Sequence, residues 1–184
     1  MGTLLLLVLS CALVLPACNN GAKDVDVSHI SLDLKIERFE QAISKLNIDS
    51  LEHQIPKIQD DYGEFFTFFA AGIINIGRKE DPSFNPALMG SVNDPQINDV
   101  LDEVTSSYAD LTSLEGELED AFKHYLFYFP GKSVPNIVTY ISGFNASLIA
   151  TDKTLGIGLD MYLGSKTKYY QMLMLPQYKI ENMR

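Results

Sequence analysis

The side chains able to do chemistry in this sequence are few and mostly far apart. His29, His53 and His124 are the three histidines. None stands in the H-E-x-x-H or H-x-H spacing that sets two imidazoles around a metal ion. Glu115, Glu117, Glu119 and Asp120 lie close together, but on a helix 115 and 119 share a face that 117 does not. Acids in the first turns of a helix suit its dipole, so this group reads as a solvated face. Lys123, four residues after Glu119, adds a surface pair, and His124 reads as a boundary residue. Ser142-Gly143 lacks the G-x-S-x-G elbow of a serine nucleophile. No catalytic residue, metal ligand or cofactor site follows from these spacings.

The stretch LGIGLDMYLG, Leu155 to Gly164, invites comparison with a phosphate-binding loop. A dinucleotide fingerprint needs a third glycine where Met161 stands, and a helix opening just after it. Here β-prone apolar residues run on to Leu163 instead, and no Gly-Lys-Ser/Thr is present. The stretch therefore reads as a strand whose glycines let other backbone or side chains approach closely. Asp160 within it must either face solvent or hold a partner.

One residue carries a definite chemical expectation. Leu4 to Leu15 is almost wholly aliphatic, and Leu15-Pro16-Ala17-Cys18 follows. The run is too short to span a bilayer and suits the apolar core of a secretory leader. The four closing residues resemble a bacterial lipobox, in which the cysteine thiol is diacylated and the chain cut just before it. Pro16 and the missing basic residue ahead of the run depart from that pattern. Cys11 would leave with the leader, so the mature chain keeps only Cys18 and no internal disulfide forms. The expected partner is a lipid bilayer held through acylated Cys18, since two or more acyl chains retain a protein where one does not. Asn19 and Asn20 after the cysteine favour the outer membrane.

Charge narrows the partners further. The 184 residues carry a formal net charge of −10, and none of it lies in residues 1–18. Such a surface repels the phosphate backbone, so nucleic acid is excluded as a partner. The mature chain should not cling to an anionic lipid surface by charge either. Nine tyrosines supply core and rim aromatics, some suited to a protein interface.

The elements that must position these residues can be read from periodicity. Residues 1–17 form the leader, 18–31 a lipidated N-terminus with a polar linker, and 32–184 a single α+β domain. Leu32 to Phe39 alternates as a half-buried strand. Asp49-Ser50-Leu51-Glu52 opens a helix, and Glu64 to Ile76 predicts a helix buried on nearly every side, ending near Gly77. Asp94-Pro95 starts another helix, with Ile97, Val100, Leu101 and Val104 on one face. Thr112 and Glu115 predict a capping box, followed by a stripe of Leu118, Phe122, Tyr125, Leu126 and Phe129. Segments 136–142, 146–151 and 154–163 predict adjacent strands joined as hairpins. A return to helix is expected at 166–175, and a further element from Tyr178. The fold class is α+β, helices followed by a small, mostly antiparallel or mixed sheet.

Several of these pieces resemble one known family. FYFPGKSVPNIVTYISGFN (127–145), TLGIGLDMYLG (154–164), IERFE (36–40), the acidic LEGELEDAFKHY (114–125) and the lipobox resemble, in matching order, the GldB gliding-motility lipoproteins of the Bacteroidetes. The resemblance covers nearly the whole mature chain. It implies a noncatalytic cell-envelope lipoprotein that contacts protein partners of the gliding machinery or the associated secretion apparatus. The family is also distantly similar to predicted zinc-dependent peptidases, which implies a metallopeptidase-like scaffold. In those proteins a strand like 154–163 precedes the helix bearing the metal-binding histidines. Arg184 comes before any such helix, so the alternative is a zinc peptidase whose ligands follow residue 184. Of the family's features, only Cys18 transfers with a defined role.

Overall fold

The computed structural model describes residues 25–181 and 183. Strand β1 (Ile36–Arg38) runs directly into helix α1 (Phe39–Ile43). A 3₁₀ turn (Ile48–Ser50) precedes α2 (Leu51–Phe68), which passes into a π-helical turn (Phe69–Ile73). Helices α3 (Phe84–Val92), α4 (Pro95–Ser107) and α5 (Thr112–Tyr128) follow. Then come β2 (Asn136–Tyr140), β3 (Leu148–Ala150), β4 (Thr154–Gly158) and a second 3₁₀ turn (Leu159–Tyr162). Short helices α6 (Lys168–Met172) and α7 (Gln177–Ile180) complete the described chain. The fold is α+β around a four-stranded mixed sheet, as the residue pattern predicts.

The strand order is β1-β2-β4-β3. Strands β1, β2 and β4 are parallel, with Ile36 opposite Ile137 and Ile137 opposite Leu155. Strand β3 lies antiparallel at the edge, with Ile149 opposite Gly156. One hairpin, β3–β4, is present as expected; the other is not, because β4 inserts between β2 and β3. Its glycines make that possible. A Cβ on Gly156 would stand 2.6 Å from the Phe65 ring and 3.2 Å from the Tyr140 ring. A Cβ on Gly158 would stand 2.3 Å from the carbonyl oxygen of Ala146. Only a strand without side chains at these positions fits the gap.

The main core is aromatic. Phe39, Phe65, Phe66, Phe69, Phe84 and Tyr140 are all buried. Phe39 meets Tyr62, Phe65 and Phe69 edge-on, with ring centroids 4.9–5.2 Å apart. Such contacts add roughly 0.5–1.5 kcal/mol each beyond the area they bury. The segment 64–76 supplies Phe65, Phe66, Phe69, Ala70 and Ile73 to this core, yet Phe68 is 47% exposed. The helix is therefore amphipathic, not buried all round as its composition suggests. It lies on one face of the sheet, and its far side meets solvent. The π turn, with Ile74 N–H donating to the Phe69 carbonyl, re-aims the last apolar residues inward.

Local signals fared unevenly. Asp94 caps α4 by accepting from the N–H groups of Gln96 and Ile97, with Pro95 in the first turn. Leu34 and Ile36 point inward and Asp33, Lys35 and Glu37 outward, but only Ile36–Arg38 pairs as strand. Helix α2 starts at Leu51, and Asn47 caps the 3₁₀ turn ahead of it. The Thr112–Glu115 capping box does not form. Asp110 accepts from the Thr112 N–H and hydroxyl, while Glu115 accepts the N–H of Ile36 at 3.0 Å. A sheet-edge donor takes the carboxylate that a local cap would have used. No described helix is long and apolar enough to cross a membrane.

Candidate functional site

In sheets with parallel strands, ligand sites favour the carboxyl ends of those strands. Here Arg38, Tyr140 and Gly158 end the three parallel strands, and buried Glu40, Ser142 and Asp160 follow them closely in sequence.

The first group joins β1 to β2. Glu40 opens α1 and is 2% exposed. One of its oxygens accepts from Arg38 Nε at 2.5 Å, and the other accepts from the Thr139 hydroxyl at 2.8 Å. Arg38 Nη1 donates to the carbonyl of Tyr108 at 2.8 Å, tying the sheet to the end of α4. Arg38 Nη2 is buried with no partner among the described residues. A carboxylate this deep is tolerated because both its oxygens are bonded and a guanidinium stands beside it.

The second group centres on Asp160, which is fully buried. Its carboxylate accepts from the Phe144 N–H at 2.6 Å, and from the Ser142 N–H and hydroxyl at 3.0–3.3 Å. The Ser142 hydroxyl oxygen in turn accepts from the N–H groups of Asn145 and Ala146. Gly143 and Phe144 both adopt left-handed backbone, with φ of 67° and 64°. For phenylalanine that conformation costs about 1–2 kcal/mol, offset here by the bond from its N–H to Asp160. The Asp160 carbonyl accepts from the Tyr170 hydroxyl at 3.2 Å, and that hydroxyl accepts from the Leu163 N–H. The Tyr108 hydroxyl donates to the Tyr162 carbonyl. Burial pushes the Asp160 carboxyl above its ordinary value, opposed by the three donors from Phe144 and Ser142. Burial likewise pushes the Tyr170 phenol up to about 12. Tyr140 is raised by burial first and by the neighbouring Asp160 charge second.

Between the two groups lies a cavity of about 40 Å³, bordered by Glu40, Ile43, Phe69, Leu88, Ile141 and Ser142. It has room for about one water molecule, and most of its wall is apolar. The carboxylates of Glu40 and Asp160 are occupied by internal donors. This arrangement fixes loops.

The expected strand 154–163 thus ends at Gly158, and Asp160 turns out to be the anchor of the 142–146 loop. Of the two alternatives the sequence leaves for Asp160, solvent or a partner, the structure takes the partner. Glu40 and Arg38 were not singled out, although a signal was present. The inward parity of Leu32, Leu34 and Ile36 continues to Arg38 and Glu40, placing two charges on a buried face. His29 and His53 are exposed. His124 lies against the Asp120 carbonyl one turn back, and Lys123 pairs with Glu119 at 2.6 Å as its spacing predicts. Among the described residues no three His, Cys, Asp or Glu side chains come together as a metal site. Cys18, the expected lipid-attachment residue, lies outside the described residues.

Comparison with curated proteins and with solved structures returns no significant match. The family of gliding motility protein GldB, by contrast, matches residues 20–184, which is nearly the whole chain and contains both buried groups. The IERFE, SGFN and LGIGLD segments that build those groups are the same pieces that carry the resemblance in sequence. The chain belongs to the GldB gliding motility protein family.

Proposed function

We propose that this chain is a lipid-tethered envelope protein of the gliding machinery or the associated secretion apparatus, acting by contact with other proteins and without catalysis. The observation that carries the reading is a lipobox-like Leu15-Pro16-Ala17-Cys18 placed directly ahead of a domain of the GldB family. Residues 1–17 are the leader, Cys18 the acylated first residue, 19–31 the tether and 32–184 a single domain. The outer membrane is the proposed home, with the domain outside the cytoplasm. The internally satisfied Glu40 and Asp160 support a scaffold in preference to an enzyme.

Fractionation of cells producing Cys18→Ala tests the anchor. The wild type is expected in the membrane fraction and the variant in the soluble fraction. Equal membrane association of the two would refute lipid attachment at Cys18. Stoichiometric zinc in the purified full-length protein would overturn the noncatalytic part of the reading.

A further inference from the structure

The exposed apolar residues include the end of α5, the stretch around α6 and Leu148 on the edge strand, besides Ile48, Phe68 and Tyr178. The end of α5 differs from the others in where it sits. Phe127, Tyr128 and Phe129 are 43%, 59% and 54% exposed, in consecutive positions just before the Pro130-Gly131 turn. Seven residues later β2 begins, so this aromatic end lies at the amino ends of the parallel strands. The segment leading into β1 packs at the same place. Ile36 is opposite Ile137, and Leu32, Leu34, Val134 and Phe122 share one apolar cluster. Met172, Leu173 and Met174 lie past the carboxyl end of β4, at the other pole.

Charge sets the same region apart. The chain holds 24 acids, yet none occurs between Asp120 and Asp152, while Lys123 and Lys132 do. Lys123 is paired with Glu119, and the nearby Asp33 is paired with Lys35 at 3.4 Å. A chain carrying −10 overall thus has lysines and no acid in the stretch that holds these aromatics. Aromatic side chains with a polar handle partition to the bilayer interface.

We infer that the aromatic end of α5 rests in the bilayer interface, so that the domain is held in one orientation against the membrane. The inference depends on the lipid anchor proposed above. The chain from Cys18 to Val25, the first described residue, spans at most about 25 Å.

The sequence contains no tryptophan, so one introduced indole reports alone. Full-length lipidated Tyr128→Trp and Met172→Trp are reconstituted into vesicles of phosphatidylethanolamine and phosphatidylglycerol, with and without bromine on the acyl chains. Met172 is 66% exposed at the opposite pole and serves as the control. Flotation of both variants with the vesicles, with bromolipid quenching several-fold greater for Y128W than for M172W, is the expected result. Flotation with an unquenched Y128W, or equal quenching of the two, overturns the seat while leaving the anchor intact; the aromatics then belong to a protein partner. Failure of the lipidated chain to float overturns the anchor and the seat together.

Discussion

Asp160 shows what a single buried acid does for the loop around it. It spends its oxygens on the backbone of a loop whose conformation would otherwise be unfavourable, and so converts an electrostatic cost into shape. Removing it leaves the Phe144 and Ser142 N–H groups buried without an acceptor. Asp160→Ala is therefore expected to cost about 2–4 kcal/mol in urea denaturation, far more than an exposed Asp→Ala change such as Asp152→Ala. The pH response has a definite sign. Because burial raises the carboxyl pKa, the folded state binds this proton more tightly than the unfolded chain does. The corresponding share of stability is present below the ordinary carboxylate value and is lost as pH rises through the raised one. Asp160→Asn should remove that share of the slope when denaturation midpoints are compared across the mildly acidic range. An unchanged slope would mean that the three hydrogen bonds hold the carboxyl at its unfolded value.

At the level of elements, tight backbone approach decides which glycines matter. Gly158→Ala brings a methyl within 2.3 Å of the Ala146 carbonyl oxygen, a backbone atom pinned through Ser142. A loss of about 2 kcal/mol or more is expected. Gly116→Ala in α5 meets open space and a helical backbone, so a gain of about 0.5–1 kcal/mol is expected from propensity alone. Thermal melts of the two variants should move in opposite directions; movement in the same direction would count against the packing of β4. Elements announced by contiguous residues were legible in the sequence: the Asp94-Pro95 start, the alternation before β1, the glycine strand. What could not be read was settled by distant partners. Glu115 faces a local cap and a sheet edge, and only the folded chain brings Ile36 within its reach. Strand β3 looks equally able to pair with β2 or β4, and the choice falls to a gap shaped by Phe65 and Tyr140. The buried pair Arg38–Glu40 was written in the parity of its strand, but the switch from strand to helix at Phe39 disguised it.

For the whole molecule, the net charge of −10 bears on the work left to the proposed lipid anchor. Three exposed aromatics are too small a surface to retain a protein that anionic headgroups repel. Purified Cys18→Ala chain should therefore stay in the supernatant when phosphatidylglycerol vesicles are sedimented at physiological salt, and co-sedimentation would show that charge has been overestimated as a barrier. The order of the sheet has a further consequence for how the protein comes into being. Ile36 finds Ile137 only across 100 intervening positions, and β4, which holds the middle of the sheet, comes later still. Closing so long a loop is slow, and no early portion of the polypeptide can satisfy β1 by itself. The sheet behaves as a latch that clicks shut last: the chain stays pliable until residue 158 is available, and only then does it lock.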